Sequence, residues 1–429
     1  MSPLNRRQFV KSTLAAGLTI PGILTNAAAG ESQRRIRLGL IGCGWYGMMD
    51  VKAAFKAGGV EVVALCDADS KHLADSAAEV EKLQGSKPAV FKHYRELLDV
   101  KGLEAVIIAS PPQWHALMFI AALEKGLDVY CEKPLAYDIR EGQAMVAAAE
   151  KSGRIVQIGF QRRQSAAIQQ AAKYIQDGNI GKVIEAQAQI HYTAGLRDTV
   201  IKDPPETLDW DLWCGPAPKI PYSEQVGHFA WRLEKTTGHG HLVDWGIHLI
   251  DATRLILNEQ TPRAVSASGG IYHFKDKITT PDILSVCFEF DACPVFWRHR
   301  IYGAAEYTPD TANGIFFYGE KATVFVTDSR WEIIPKARGA EREKHEAPAD
   351  MGTLHIAEFL DAIRTRRQPS CSTADAHKST ATVKLAMIAY DTARRVEWNP
   401  ETSQIPNSQE ANNLLLRPYR QPHQHPYTD

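Results

Sequence analysis

A lysine, an aspartate and a histidine stand at positions that could carry acid–base chemistry beside a bound cofactor. Lys133 lies in Cys131-Glu132-Lys133-Pro134, at the end of a short apolar run. Asp244 and His248 are four residues apart in Asp244-Trp245-Gly246-Ile247-His248-Leu249-Ile250-Asp251. On a helix, side chains at i and i+4 share a face, so the carboxylate can orient the imidazole and raise its basicity. Each signal also has a plainer reading: an exposed lysine, and an ion pair on a helix surface. Asp251 reads as a member of such a surface ion pair or as a structural hydrogen-bonding group.

A second signal names the partner such chemistry needs. Gly42-Cys43-Gly44-Trp45-Tyr46-Gly47 has the spacing G-x-G-x-x-G. It follows the apolar run Ile36–Ile41 and opens a helical stretch that reaches Ala57, which is the context a dinucleotide turn demands. Gly42 permits the tight turn, Gly44 lets a pyrophosphate approach the backbone, and Gly47 lets helix and strand pack closely. Free N–H groups at the helix start favour the phosphates. Asp67 ends the next strand, where a carboxylate accepts hydrogen bonds from an adenine-ribose diol and repels a 2′-phosphate. NAD is therefore expected rather than NADP.

The elements that would position these residues alternate. Strands at 36–41, 61–66, 89–91, 105–109, 128–131 and 155–160 are separated by helical stretches, which implies a mostly parallel, doubly wound sheet. After about residue 180 strand-like runs follow one another at 182–192, 263–274, 282–290, 294–301, 314–319, 322–327 and 330–335, with helices mainly at 164–177 and 243–257. That texture predicts a largely antiparallel sheet. The expected fold is an α/β N-terminal Rossmann domain over 34–160, then an α+β domain over 161–395 with an open, mainly antiparallel sheet. Helices at 353–367 and 374–395 are expected to pack back onto the first domain. Residues 396–429, rich in Pro, Gln, Asn and His, read as an extended or disordered tail.

The whole set resembles the Gfo/Idh/MocA oxidoreductase family. The matching pieces are Gly42 to Gly47, Asp67, Ser110-Pro111-Pro112 with His115, Glu132-Lys133-Pro134, and Asp244 to His248, and the resemblance runs from about residue 35 to 395. It implies NAD bound by Gly42, Gly44, Trp45, Tyr46, Gly47, Asp67, Ser110, Pro111, His115, Glu132, Lys133 and Arg162. It implies a sugar or polyol substrate held by Lys133, Arg162, Trp231, Arg232, Asp244 and His248. His248 would be the base, Asp244 would orient it or share in substrate binding, and Lys133 would stabilise the alkoxide. A homo-oligomer built on the second sheet is also implied. Two rivals stand beside the dehydrogenase: an NAD-dependent glycosidase working by oxidation, elimination, hydration and reduction, and a non-catalytic dinucleotide- and sugar-binding protein.

The N-terminus carries a different message. Asn5-Arg6-Arg7-Gln8-Phe9-Val10-Lys11 precedes an apolar run to Leu24 and the small residues Ala27 to Ala29. This reads as a twin-arginine signal over residues 1–30, directing a folded protein to the periplasm. Without that segment's three positive charges the chain's −1 becomes about −4. No basic cluster suggests nucleic acid, and no run suggests a membrane span. The seven cysteines form no C-x-x-C pair, so neither a zinc site nor a disulfide framework is expected. His239-Gly240-His241 ahead of Asp244 and His248 raises a metal question, but the spacing fits no standard zinc pattern.

Overall fold

Near-continuous apolar runs need cover on both faces, and the first six strands have it. In the computed structural model, which describes residues 34–304 and 312–427, these strands are β1 (Ile36–Ile41), β2 (Val60–Cys66), β3 (Ala89–Phe91), β4 (Ala105–Ile108), β5 (Asp128–Glu132) and β6 (Val156–Gly159). Helices α1 (Trp45–Ala57), α2 (Ser70–Gln84), α3 (Tyr94–Leu98), α4 (His115–Glu124) and α5 (Ile139–Ser152) connect them. The expected export signal lies outside the described residues. All pairings are parallel, in the order β3-β2-β1-β4-β5-β6. The order reverses between β1 and β4, and a doubly wound sheet opens its crevice at such a point. Register aligns Ile41 with Cys66 on one side and Ile108 on the other. Gly42, Asp67 and Ser110, just beyond those residues, therefore converge on one rim.

After α6 (Ala166–Gln176) the chain builds β7 (Val183–His191), α7 (Trp210–Cys214), α8 (Ile247–Leu257), β8 (Ala264–Gly270), β9 (Ile283–Glu289) and β10 (Pro294–Arg300). Then come β11 (Asn313–Gly319), β12 (Ala322–Val326), β13 (Arg330–Pro335), β14 (Glu343–Glu346), α9 (Met351–Thr365), α10 (Thr373–Thr392), β15 (Val396–Glu397) and α11 (Gln409–Asn413). The nine-stranded sheet runs β14-β13-β12-β11-β7-β10-β9-β8-β15. Only β7 and β10 pair in parallel; every other pairing is antiparallel. In β10, Val295, Trp297 and His299 point inward while Phe296 and Arg298 face out, the period of two a one-sided sheet requires. Val295 and Trp297 share a core with Ile247 of α8 and Val383 of α10. Helix α9 crosses to the first sheet, where Ile356, Phe359 and Leu360 join the core of Leu38, Leu40 and Val51. Asp251 is buried against Arg163, 2.6 Å away, which also reaches Asp375 at 2.7 Å. None of the described helices is long and apolar enough to cross a membrane.

The tail is where sequence texture misleads. Val396 pairs with Val265 at the edge of the second sheet, and residues beyond α11 run back over α5. Arg417 pairs with Glu141 at 3.0 Å, the Tyr419 hydroxyl donates to the same carboxylate at 2.8 Å, and His425 Nε2 lies 3.0 Å from Asp138. Arg420 then bonds Asp211 and the Gly215 carbonyl. These anchors are polar, so apolar periodicity could not disclose them. Burial pushes the Glu141 carboxyl's pKa up, and the Arg417 guanidinium opposes that push. Arg417→Met is therefore expected to cost about 3–5 kcal/mol, because it strands a buried charge. Urea unfolding measures it; a loss below about 1 kcal/mol would show that the pair is dispensable.

Candidate functional site

The corner after β1 is shaped by glycine. Gly42 has φ +97°, and a Cβ there would lie 2.7 Å from the Ala109 carbonyl carbon. A Cβ on Gly47 would lie 2.0 Å from the Gly42 oxygen, so no larger residue fits without moving the turn. A Cβ on Gly44 would meet nothing within 4 Å. Gly44 thus faces open space at the N-terminus of α1, which has no side-chain cap. Uncapped N–H groups beside that opening are the donors an anionic pyrophosphate requires.

Beside this corner lies a cavity of about 310 Å³, lined by Gly42, Gly44, Trp45, Tyr46, Asp67, Ser110 and Pro111 from the first domain. The second domain closes it with Leu212, Trp213, Phe229, Trp231 and Arg232. Asp67 accepts from Cys43 N at 2.6 Å with one oxygen and from Asp69 N at 2.8 Å with the other. Burial raises its pKa, and those N–H groups oppose the rise. Each oxygen keeps a lone pair for a ribose hydroxyl. Asp67→Ser, which retains an acceptor for Cys43, is expected to lower the NAD-over-NADP affinity ratio by about 10–10²-fold. Titration with both dinucleotides checks this; an unchanged ratio would remove Asp67 from cofactor selection.

Besides Gly47, which packs against the Gly42 carbonyl, four residues expected at the cofactor do not line this cavity. His115 is buried, with Nδ1 2.8 Å from the Pro134 carbonyl and Nε2 2.8 Å from the Ser110 carbonyl. It ties together the loops after β4 and β5 rather than reaching a ligand. Glu132 is enclosed beneath them, accepting from Gln161 at 2.6 Å and from Lys133 N at 3.2 Å. Burial pushes its pKa up to about 7, against the pull of Lys133. Arg162 turns away to Asp328 at 2.9 Å and stacks over Trp245 at 4.6 Å. Lys133, the fourth, belongs to a neighbouring cluster.

Lys133 Nζ donates to the Asp244 carbonyl at 2.8 Å and to Asp244 Oδ1 at 2.9 Å. Arg232 Nε stands 3.1 Å from Asp244 Oδ2. One carboxylate thus holds an ammonium from the first domain and a guanidinium from the second. Burial would raise Asp244's pKa, but the Lys133 and Arg232 charges outweigh it and hold the carboxyl well below its usual range. Arg232 itself lies between the rings of Phe229 and Trp231, 4.8 and 4.5 Å from their centres.

The helical reading of Asp244 and His248 needs correcting. Residues Leu242–Gly246 form a π turn before α8 begins, a wide turn that often marks a functional site. Asp244 spends both oxygens on Lys133 and Arg232, so it aims the amine rather than the imidazole. His248 lies edge-on to Phe160, 5.9 Å away, and its Nδ1 is buried without a hydrogen-bond partner. Burial first, then the Lys133 and Arg162 charges, push its pKa well below the ordinary 6.5. These effects favour the neutral ring.

Two residues not picked out for substrate contact adjoin the cluster. His241 approaches the Tyr192 hydroxyl through Nδ1 at 3.4 Å, and its Nε2 is buried and unpartnered. Burial pushes its pKa down to about 3, with the Asp244 charge opposing. The His-Gly-His run was the available signal, but it suggested a metal. The ligand-type clusters among the described residues contain neither His239 nor His241. His239 instead contacts Lys384 at 3.3 Å.

Comparison with known families settles the lineage. An oxidoreductase family described by its NAD-binding Rossmann fold matches residues 36–160, and the C-terminal α/β domain of the same family matches 179–425. The chain belongs to the Gfo/Idh/MocA oxidoreductase family. Among relatives, it is 34% identical over 161 residues to inositol 2-dehydrogenase of Salmonella paratyphi B, covering 37% of this chain and 46% of the relative. It is 34% identical over 174 residues to a glycosyl hydrolase family 109 protein of Shewanella pealeana, covering 35% and 38%. These matches span less than half the length of either relative. A solved levoglucosan dehydrogenase in complex with NADH and levoglucosan has the same fold, with a TM-score of 0.67 at 18% identity, covering 85% of this chain and 99% of that one. An aldose-aldose oxidoreductase from Caulobacter crescentus superposes with a TM-score of 0.66 at 20% identity, covering 85% and 100%. As in other Gfo/Idh/MocA members, the first domain is an NAD-binding Rossmann fold.

Proposed function

We propose that this chain is an NAD-dependent oxidoreductase that transfers hydride between a hydroxyl-bearing carbon of a sugar or polyol and a tightly held nicotinamide. The observation that carries the reading is the Lys133–Asp244–Arg232 cluster with a neutral His248 beside it, bordering a cavity shaped for a dinucleotide. The residues present fit NAD: Gly44 opens toward the pyrophosphate position and Asp67 toward the ribose. When bound, NAD supplies the hydride acceptor. His248 takes the hydroxyl proton on Nε2, since Nδ1 is enclosed. Lys133 Nζ donates to the oxygen that loses that proton, and Asp244 keeps the amine charged and aimed. Trp231 offers an aromatic face and Arg232 donors for the remaining hydroxyls. The inositol and levoglucosan dehydrogenases among the relatives support the substrate class.

Closure of the cavity by Leu212, Trp213, Phe229 and Trp231 favours a retained cofactor. Retention suits the route indicated by Arg6 and Arg7, by which we propose that the protein is exported already folded and loaded. The test is to purify the protein and add sugars, polyols and aryl glycosides while following absorbance near about 340 nm, the signature of reduced nicotinamide. A change with polyols or sugars supports the reading. Released aglycone would replace it with a glycosidase, and no response to any of them would overturn it. We further propose assembly through the outer face of the nine-stranded sheet, where Ile184 and Phe296 are 51% and 37% exposed. Light scattering is expected to give a multiple of the chain mass that falls to one chain in Phe296→Glu. A wild-type monomer would exclude it.

A further inference from the structure

We propose that Asp69, His72 and His228 form a site for a divalent transition-metal ion of the zinc type, joining the two domains at the rim of the dinucleotide cavity. Asp69 caps α2, and His72 lies within that helix's first turn. His228 comes from the second domain, in the segment His228–Leu233 that crosses the cavity. One ligand atom from each residue lies within 4.8 Å of the other two. His228 Nε2 and Asp69 Oδ2 are 2.9 Å apart. Two ligands bound at about 2.0–2.1 Å, at right to tetrahedral angles, would stand roughly 2.8–3.4 Å apart, so this pair is already at coordination spacing. The half-buried His72 ring, 4.4 Å from that of His228, closes the set by side-chain rotation.

Two further observations favour a cation over a simple hydrogen bond. Asp69 Oδ1 is committed to Lys71 N at 2.8 Å, so it is the buried Oδ2 that faces His228. His228 holds φ at +38°, in the region that costs a residue with a Cβ, so its ring is kept at Asp69 against backbone preference. Two imidazoles and one carboxylate suit zinc, nickel or cobalt rather than magnesium or calcium. Because His72 and His228 both line the cavity, the remaining coordination position opens into it, available to water or an oxygen of a bound molecule.

The inference does not depend on the proposed hydride transfer and is tested without turnover. The full chain, stripped with a chelator, is titrated with Zn2+ by calorimetry and with Co2+ by visible absorption. About one ion per chain is expected, weakened about tenfold or more in both His72→Ala and Asp69→Asn. Asn retains the helix cap, and His72 is half-exposed, so both variants should fold; thermal melts without metal verify it. Wild-type protein with no saturable binding overturns the site, and so does binding that both variants retain at wild-type strength.

Discussion

Replacing His248 with alanine should leave NAD bound and lower turnover by about 10²–10⁴-fold, the usual contribution of a positioned proton acceptor. His248 is absent from the residues lining the dinucleotide cavity, so affinity for NAD has no reason to change. The decisive comparison is calorimetric NAD binding beside the single-turnover rate with the responding sugar. If the sugar-dependent rate survives in the variant, the proton goes elsewhere and the mechanism is wrong. The wild-type pH profile carries the same information. Burial lowers the His248 pKa, so the neutral ring persists below the ordinary value of 6.5. Activity limited by this group should therefore hold as pH falls through 6.5 and drop only when pH passes the depressed value. An acid limb at or above 6.5 would point to a different base.

The second large effect separates ligand space from protein space. A methyl on Gly44 meets no protein atom within 4 Å, and the residue's φ of −70° suits alanine. Gly44→Ala should fold with an unchanged melting temperature yet bind NAD on the order of 10²-fold more weakly. Hydrogen bonds to charged phosphate oxygens contribute about 1.5–3 kcal/mol each, and the methyl displaces one or two of them. Gly47→Ala contrasts with it. Its Cβ would fall 2.0 Å from the Gly42 oxygen, so the turn must shift, at a cost of about 1–3 kcal/mol in stability along with affinity. Paired melts and NAD titrations test both. Equal NAD affinity in Gly44→Ala and wild type would mean that no phosphate lies against that opening.

Much of this was legible in the sequence. The glycine spacing, the strand before it and Asp67 after it fixed the dinucleotide corner, because each requirement is local and steric. The strand runs foretold both sheets, since alternation and continuous apolar stretches report burial directly. The departures share a cause: they depend on polar partners far away in the chain. Asp244 looked like a partner for His248 because ideal helical spacing was assumed, and a π turn leaves no mark in residue types. His115 looked like a cofactor contact, but its two carbonyl partners are backbone atoms that no side-chain pattern encodes. Arg162 found Asp328, and the tail found Asp138 and Glu141, through charges indistinguishable in sequence from solvated ones. His228 and Asp69 meet across 159 residues.

The clasp of Arg417, Tyr419 and His425 on α5, with Arg420 on the loop around Asp211, also has a temporal side. During synthesis the nucleotide-binding half leaves the ribosome early. One rim of its cavity, the stretch holding Leu212 and Trp213, is braced by Arg420, which emerges 209 residues after Asp211. A nascent chain shorter than this would offer the dinucleotide only an unfinished berth, so firm loading is expected to wait until Arg420 has emerged. Fusing a reporter between α11 and Arg417, or stalling translation there, should yield a folded first sheet that lets its nucleotide go.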